Sequence, residues 1–296
     1  MDKQQIPATL LKDRFDTNPF SILRADTGDW ISQKRAWENI LKDREDNIRD
    51  IIAKSNTPYI NNFEKVDFKG AKSPNAGMIS TFDPFLCEIM IKWFSKTGDT
   101  ILDPFAGGVV RGAVSCILGR QYIGYDISPK QVEHNQIRWS KIKASYTGGI
   151  DNDPLYKVGD SEYLLDTVGD ETFDMMLACP PYYNLEQYTD NEQDLSNLKT
   201  YDEFIIKYSN ILNKCYNKIK CGGFCVLVVE EIRDKKGVMY GFVADTIKSC
   251  QKAGFDYYNE MILMNPIASL GIRSTKYFVD SRKVGRHHQN VLVFKK

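Results

Sequence analysis

The sequence predicts an α/β fold: a seven-stranded, mostly parallel sheet with helices on both faces, plus a small helical amino-terminal segment. Three observations predict it. From about Asp99 onward, apolar runs of strand length alternate with stretches of helical periodicity across short connections, the rhythm of βαβ units. One of those runs, Thr100-Ile101-Leu102, closes on the acidic-glycine turn Asp103-Pro104-Phe105-Ala106-Gly107-Gly108. Another, Phe173–Ala178, closes on Cys179-Pro180-Pro181-Tyr182. Both turns sit at strand carboxyl ends, where open α/β sheets bind their ligands.

The elements follow in order. Thr100–Asp103 is the first strand of the core, followed by a helix from about Val109 to Leu118 that stops at Gly119. Gln121–Tyr125 is the second strand. Ser128-Pro129 then supplies an N-cap and a proline at the first helical position, starting a helix that runs to about Ala144. Leu155–Val158 and Phe173–Ala178 are the third and fourth strands. Phe204, Ile205, Tyr208, Ile211, Leu212 and Cys215 recur at amphipathic-helix spacing across Tyr201–Lys220, and Gly222-Gly223 is the expected stop. Phe224–Val229, Tyr257–Met264 and Asn290–Phe294 complete the strands, with a helix at Gly241–Ala253 between the first two. Residues 1–75 read as a helical amino-terminal extension that decorates a single domain, with Trp30–Ile52 as its main helix, and residues 76–296 as the main domain. Tyr183–Thr200 reads as an acidic flap and Asn265–His288 as a long basic loop.

Composition sets the function classes. The chain has 296 residues and 42% hydrophobic content, ordinary for a soluble globule. Lys plus Arg equals Asp plus Glu at 39 each, so any nucleic-acid contact must be a local basic face. The seven cysteines are scattered and odd in number, the pattern of reduced thiols. Cys221 and Cys225 have no second pair or nearby histidine to complete a zinc site, so no metal is expected. Met1–Gln5 lacks a signal-peptide core, and no apolar run is long enough to span a bilayer. The expected compartment is the cytoplasm.

The chemistry lies in the two turns. Gly107 and Gly108 allow a tight turn against which a cofactor can pack, and the following helix directs free N–H groups at a polar ligand. No dinucleotide fingerprint and no phosphate-binding loop is present. Asp126, ending the next strand, is placed for ribose hydroxyls, and Asp160, after the third strand, for an adenine amine. In the second turn, two prolines stiffen the backbone so that the Pro180 carbonyl can accept from an amine. Tyr182 offers a face on which a flat base can stack, worth ~1–3 kcal/mol.

On these motifs the chain resembles the DNA amino-methyltransferases that make N6-methyladenine or N4-methylcytosine, especially compact phage-type members. The resemblance covers about Phe82 to Phe294. It implies a class I, Rossmann-like methyltransferase fold, S-adenosyl-L-methionine as cofactor and double-stranded DNA as partner. It further implies that Phe82, Asp103, Pro104, Phe105, Ala106, Gly107 and Gly108 surround the cofactor, with Asp126 at its ribose and Asp160 at its adenine. Cys179, Pro180, Pro181 and Tyr182 would surround the target amine, adenine N6 ahead of cytosine N4. Arg273, Lys276, Arg282, Lys283 and Arg286, in the basic loop at residues 265–288, are the candidate DNA contacts, with Lys34 and Arg35 as a second patch. The state of assembly is left open between monomer and homodimer.

Two departures from the family pattern stand out. Val109 and Val110 occupy positions usually held by small or hydroxyl residues, and Cys179 stands where Asp, Asn or Ser is usual. A thiol accepts hydrogen bonds poorly, and losing one good bond costs ~1–3 kcal/mol, so slower turnover is expected. A cytosine-C5 enzyme, with Cys179 as nucleophile, is the rival within DNA methylation. It requires proline before the cysteine and a Glu-Asn-Val element, which Val229-Glu230-Glu231 does not match. An RNA or protein-glutamine N-methyltransferase, or a non-catalytic nucleic-acid binder with this fold, remains the alternative.

Overall fold

The structure is a computed structural model, in which residues 12–13, 15–41, 54–55, 81–183, 186–268 and 270–296 are described. Eight strands form the main sheet: β1 (Ile22–Arg24), β2 (Thr100–Asp103), β3 (Gln121–Asp126), β4 (Leu155–Val158), β5 (Phe173–Ala178), β6 (Ile219–Val229), β7 (Asp256–Met264) and β8 (His288–Lys295). Their order across the sheet is β1-β7-β8-β6-β5-β2-β3-β4. All neighbours pair in parallel except β8, which is antiparallel to both β6 and β7. Leaving β1 aside, this is the class I methyltransferase sheet. The chain winds outward from β2 through β3 and β4, then returns to lay β5 on the other flank of β2. The β2–β5 boundary, registered by Ile101 against Met175 and Leu102 against Met176, is therefore the topological switch point.

Burial on both faces follows from strand alternation. Val226 and Val228 of β6, with Met175 and Leu177 of β5, point into one core cluster. There they meet helices α1 (Gly28–Leu41), α2 (Pro84–Phe94), α3 (Val110–Ile117) and α4 (Pro129–Ser145). Cys225, Leu227 and Val229, with Met176 and Ala178, point into the other, beneath α5 (Tyr201–Lys218) and α6 (Phe242–Ala253). The helix starts carry their own local reasons. Asp83 accepts from the Phe85 and Leu86 amides with Pro84 in the first turn. Ser128 caps α4, and Thr200 with Glu203 forms a reciprocal capping box on α5.

Several sequence expectations are corrected. The sheet has an eighth strand, because Ile22–Arg24 pairs with Ile262–Met264 at its edge. The described part of the amino-terminal segment accordingly joins the main sheet and core. Trp30, Trp37 and Leu41 of α1 are buried in the main core, and Trp30 packs edge-on against Phe85 with ring centroids 4.8 Å apart. The expected helix at Trp30–Ile52 is seen over Gly28–Leu41, and residues 42–52 lie outside the described residues. Gly222-Gly223 does not end a helix. Strand β6 begins at Ile219, and Gly222 and Gly223 exchange backbone hydrogen bonds with Lys296 at 2.7 and 3.0 Å. The basic loop contains a further helix, α7 (Leu270–Ser281), which carries Arg273 and Lys276. Finally, the acidic segment after Tyr182 is packed in its described part. Asp194, Leu195 and Ser196 are buried, and Lys207 bonds the Gln193 carbonyl at 2.6 Å.

Candidate active site

A cavity of about 420 Å³ opens at the carboxyl ends of the central strands. Its wall runs continuously from Phe105, Gly107 and Gly108 after β2 to Cys179–Tyr182 after β5. This union of the two turns is what the switch point produces. The volume falls within the ordinary range for small-ligand pockets.

The glycine turn is held from beneath. Asp103 is fully buried, and its carboxylate accepts from Arg111 Nε at 2.6 Å, the Tyr122 hydroxyl at 2.8 Å and the Phe105 amide at 3.1 Å. The same Arg111 donates through Nη2 to the carbonyls of Phe105 at 2.7 Å and Ala106 at 2.9 Å. Its guanidinium also lies 4.9 Å from the Phe82 ring centroid. Arg111 thus ties strand end, turn and upstream segment together, and its ionised form is strongly favoured by Asp103 despite burial. Asp103 and Ala106, expected beside a ligand, are not among the residues that line the cavity. Every oxygen of Asp103 is committed inside the protein. Arg111 escaped the sequence reading because nothing local to residue 111 marks it as a partner of residue 103.

Above this clamp the turn presents backbone. Gly107 adopts a positive φ of 52° and its amide donates to Asp126 at 2.9 Å. Val109, at the N-cap position before helix α3, supplies no side-chain cap, a direct result of valine where a hydroxyl residue is usual. Val109 and Val110 are buried in the core and also line the pocket wall.

The two carboxylates expected at the ligand differ. Asp126 lines the cavity and accepts from the Gly107 and Ser128 amides, the latter at 2.8 Å; burial pushes its carboxyl up to about 7. Asp160 lines the cavity too, but it caps the short helix at Ser161–Leu164, and Lys207 holds its other oxygen at 2.6 Å. That pair is largely buried, with 16% and 6% of the two side chains exposed. Asp160 is a tethered wall residue and not the open acceptor that the sequence suggests. The opposite wall brings in Lys34 of α1, which pairs with Asp83 at 3.3 Å. The second basic patch therefore contributes Lys34 to this cavity.

At the other end, all four residues of the tetrad line the cavity. The Cys179 sulfur lies 3.6 Å from the Tyr182 hydroxyl, and burial, followed by Cys179, pushes that hydroxyl well above the usual tyrosine range. Tyr182 packs edge-on against Phe242 of α6, centroids 6.0 Å apart. The next residue anchors the loop. Tyr183 has a left-handed φ of 46°, is buried among Tyr201, Phe204 and Tyr240, and donates to the Lys199 carbonyl at 3.0 Å. Such a backbone persists only where packing over-determines it. Glu230, which ends the strand run of β6, also lines this end, beside Asn265 and Gln289.

Three of the candidate DNA contacts, Arg282, Lys283 and Arg286, do not line the cavity. Arg273 and Lys276 ride on α7; Arg282 follows it, exposed, with its guanidinium 5.5 Å from the Phe278 ring centroid. Arg286 is half-buried, close enough to Glu230 for its charge to favour the carboxylate. Among the described residues there is no cluster of His, Cys, Asp and Glu able to hold a metal ion, and no helix long and apolar enough to cross a membrane.

Residues 12–137 match the family model described as DNA methylase. Over that segment the chain is similar to the DNA methylases of that family. The matched segment holds Phe82, the Asp103–Gly108 turn and Asp126, and ends before the tetrad. The type II beta methyltransferase M.BslI of Bacillus sp. (strain NEB-606) is 28% identical over 149 residues. That match covers 47% of this chain and 16% of M.BslI, so this chain aligns with a small part of that relative. Among solved structures, TrmN from Thermus thermophilus superposes with a TM-score of 0.48 at 14% identity, covering 73% of this chain and 50% of TrmN. An S-adenosylmethionine-dependent methyltransferase from Methanosarcina mazei gives 0.47 at 13% identity, covering 70% of this chain and 96% of its own.

Proposed function

We propose that this protein transfers a methyl group from S-adenosylmethionine to the exocyclic amine of a base in double-stranded DNA, adenine N6 ahead of cytosine N4. One observation carries the reading: the glycine turn and the Cys-Pro-Pro-Tyr loop face each other across one cavity at the switch point. The cofactor supplies an electrophilic methyl on a sulfonium, so the new N–C bond forms as the S–C bond breaks and its electron pair returns to sulfur.

The residues present suit that cofactor. The uncapped amino end of α3 offers free N–H groups, Gly107 lets the ligand approach bare backbone, and Asp126 offers its remaining lone pairs to ribose hydroxyls. Phe82 and Phe105 supply apolar wall. Asp160, held by Lys207, shapes the adenine end without being its acceptor. On the substrate side, Pro180 accepts from the amine while Tyr182 stacks on the base. Stacking of ~1–3 kcal/mol roughly offsets the few kcal/mol needed to extrude a base from the duplex. Arg273 and Lys276 on α7, with Arg282, Lys283 and Arg286 beyond it, supply phosphate contacts, which make affinity salt-dependent.

The deciding experiment is nucleoside mass spectrometry of unmethylated duplex DNA after incubation with protein and S-adenosylmethionine. N6-methyladenine or N4-methylcytosine is the expected product and names the base. Product as 5-methylcytosine, or transfer only to RNA or to a protein glutamine, overturns the reading.

Asp126 gives a test independent of turnover. Its carboxyl titrates near 7, raised from 3.8 by burial, so the folded chain holds this proton more tightly than the unfolded chain does. Ionisation of Asp126 therefore works against fold stability as pH rises from about 4 to 7. Ribose hydroxyls favour the ionised form, so cofactor binding must release the proton below pH 7. Affinity should improve about fivefold from pH 6 to pH 7 by calorimetry. Asp126→Asn should bind more weakly and show no such rise.

A further inference from the structure

We infer that Glu230 is a catalytic residue, the carboxylate that takes the proton shed by the target amine and so replaces the acceptor that Cys179 cannot provide. The inference rests on the proposed amine methylation and adds to it a residue that the tetrad does not contain.

Glu230 stands at the carboxyl end of β6, the strand beside β5, and lines the cavity with Cys179, Pro180 and Tyr182. Its neighbour Glu231 faces away, accepting from the Gly241 and Val243 amides at 3.1 and 2.8 Å. Among the described residues, nothing hydrogen-bonds or ion-pairs the Glu230 carboxylate. That is unusual for a largely buried acid, and its place on the cavity wall leaves its oxygens to a ligand. The charged and titratable groups around it are Arg286, from the segment before β8, and Tyr182, from the tetrad loop. Asn265 and Gln289, on the same wall, are neutral. Burial pushes the Glu230 carboxyl up to about 7 and Arg286 draws it back. Such a group is ionised in part at neutral pH yet basic enough to accept a proton.

The chemistry balances. An exocyclic amine that gains a methyl group must lose one proton to end as a neutral secondary amine. In the usual tetrad a side-chain oxygen and the proline carbonyl accept the two N–H bonds. Here the thiol is a poor acceptor and lies against the Tyr182 hydroxyl. Pro180 keeps one N–H, Glu230 takes the other, accepts its proton as the nitrogen lone pair forms the N–CH3 bond, and passes it to solvent.

The test is single-turnover and steady-state methylation of duplex DNA at saturating cofactor between pH 5.5 and 8.5. Wild type should show kcat rising with pH along a limb near 7. Glu230→Gln, which is isosteric and removes a buried charge, should lower kcat about a hundredfold and lose that limb. Its affinity for S-adenosylhomocysteine should stay within twofold by calorimetry. Glu230→Asp, if Gln fails to fold, should recover the limb at reduced kcat. Wild-type kcat with an unchanged limb in Glu230→Gln, or a defect confined to KM for DNA, overturns the role of Glu230 and leaves the proposed function standing. A wild-type protein that binds cofactor but methylates no DNA overturns that function, and this inference with it.

Discussion

Arg111→Ala should destabilise the protein by about 3–5 kcal/mol, the usual result of removing one partner from a buried ion pair. At ~2–4 °C per kcal/mol this lowers Tm by roughly 6–20 °C in calorimetry. The size follows from geometry. Deleting the guanidinium strands the Asp103 carboxylate where no water reaches it, and leaves the Phe105 and Ala106 carbonyls without their donor. Arg111→Lys should recover little, because a single ammonium cannot serve a carboxylate and two carbonyls in the planar fork that Arg supplies. Replacing both partners, as in Asp103→Leu with Arg111→Met, should be milder than either single loss, since no orphaned charge remains. Cofactor affinity should nonetheless fall in every one of these variants, because the glycine turn loses the cross-brace that sets its shape. A single Arg111→Ala variant with unchanged Tm would show that the clamp is not what holds this turn.

Tyr182→Ala should reduce methylation of duplex DNA by about 5- to 150-fold from lost stacking alone. Misplacement of the target amine can add a factor of about a hundred. Tyr182→Phe separates ring from hydroxyl. It keeps the stacking face and the contact with Phe242, and removes only the approach to the Cys179 sulfur. Its rate should lie within a few-fold of wild type. Cofactor affinity should be preserved in both variants, as the proposed function puts Tyr182 at the substrate end. Equal losses in the Ala and Phe variants would instead assign the effect to the hydroxyl.

Much of this molecule was legible without coordinates, and the legible parts share a cause. The seven core strands, the Ser128-Pro129 helix start and the two turns at strand ends all depend on residues within a few positions of one another. Alternation, caps and glycine conformations are short-range properties, and the chain displays them openly. Asp126 belongs with these, since a strand's last residue beside a glycine turn faces the cavity by simple continuation of the sheet.

What stayed hidden was pairing at a distance. β1 is three residues long and earns its place only by lying against Ile262–Met264, far along the chain. Asp103 and Asp160 carry the right residue type at the right strand ends, yet Arg111 and Lys207 claim their oxygens. Glu230 is the opposite case: in the sequence it is only part of Val229-Glu230-Glu231, which matches no Glu-Asn-Val element, and it is the placing of β6 beside β5 that brings it to the tetrad's cavity. The basic segment at residues 265–288 was read from charge, and charge does not reveal the helix at Leu270–Ser281 within it. Local physics thus decides which elements form and where their ligand-facing turns fall. Which polar side chain is spent inside the protein and which is left for chemistry depends on the partners that tertiary packing brings within about 3 Å, because burial makes an unpaired charge costly and a paired one unavailable.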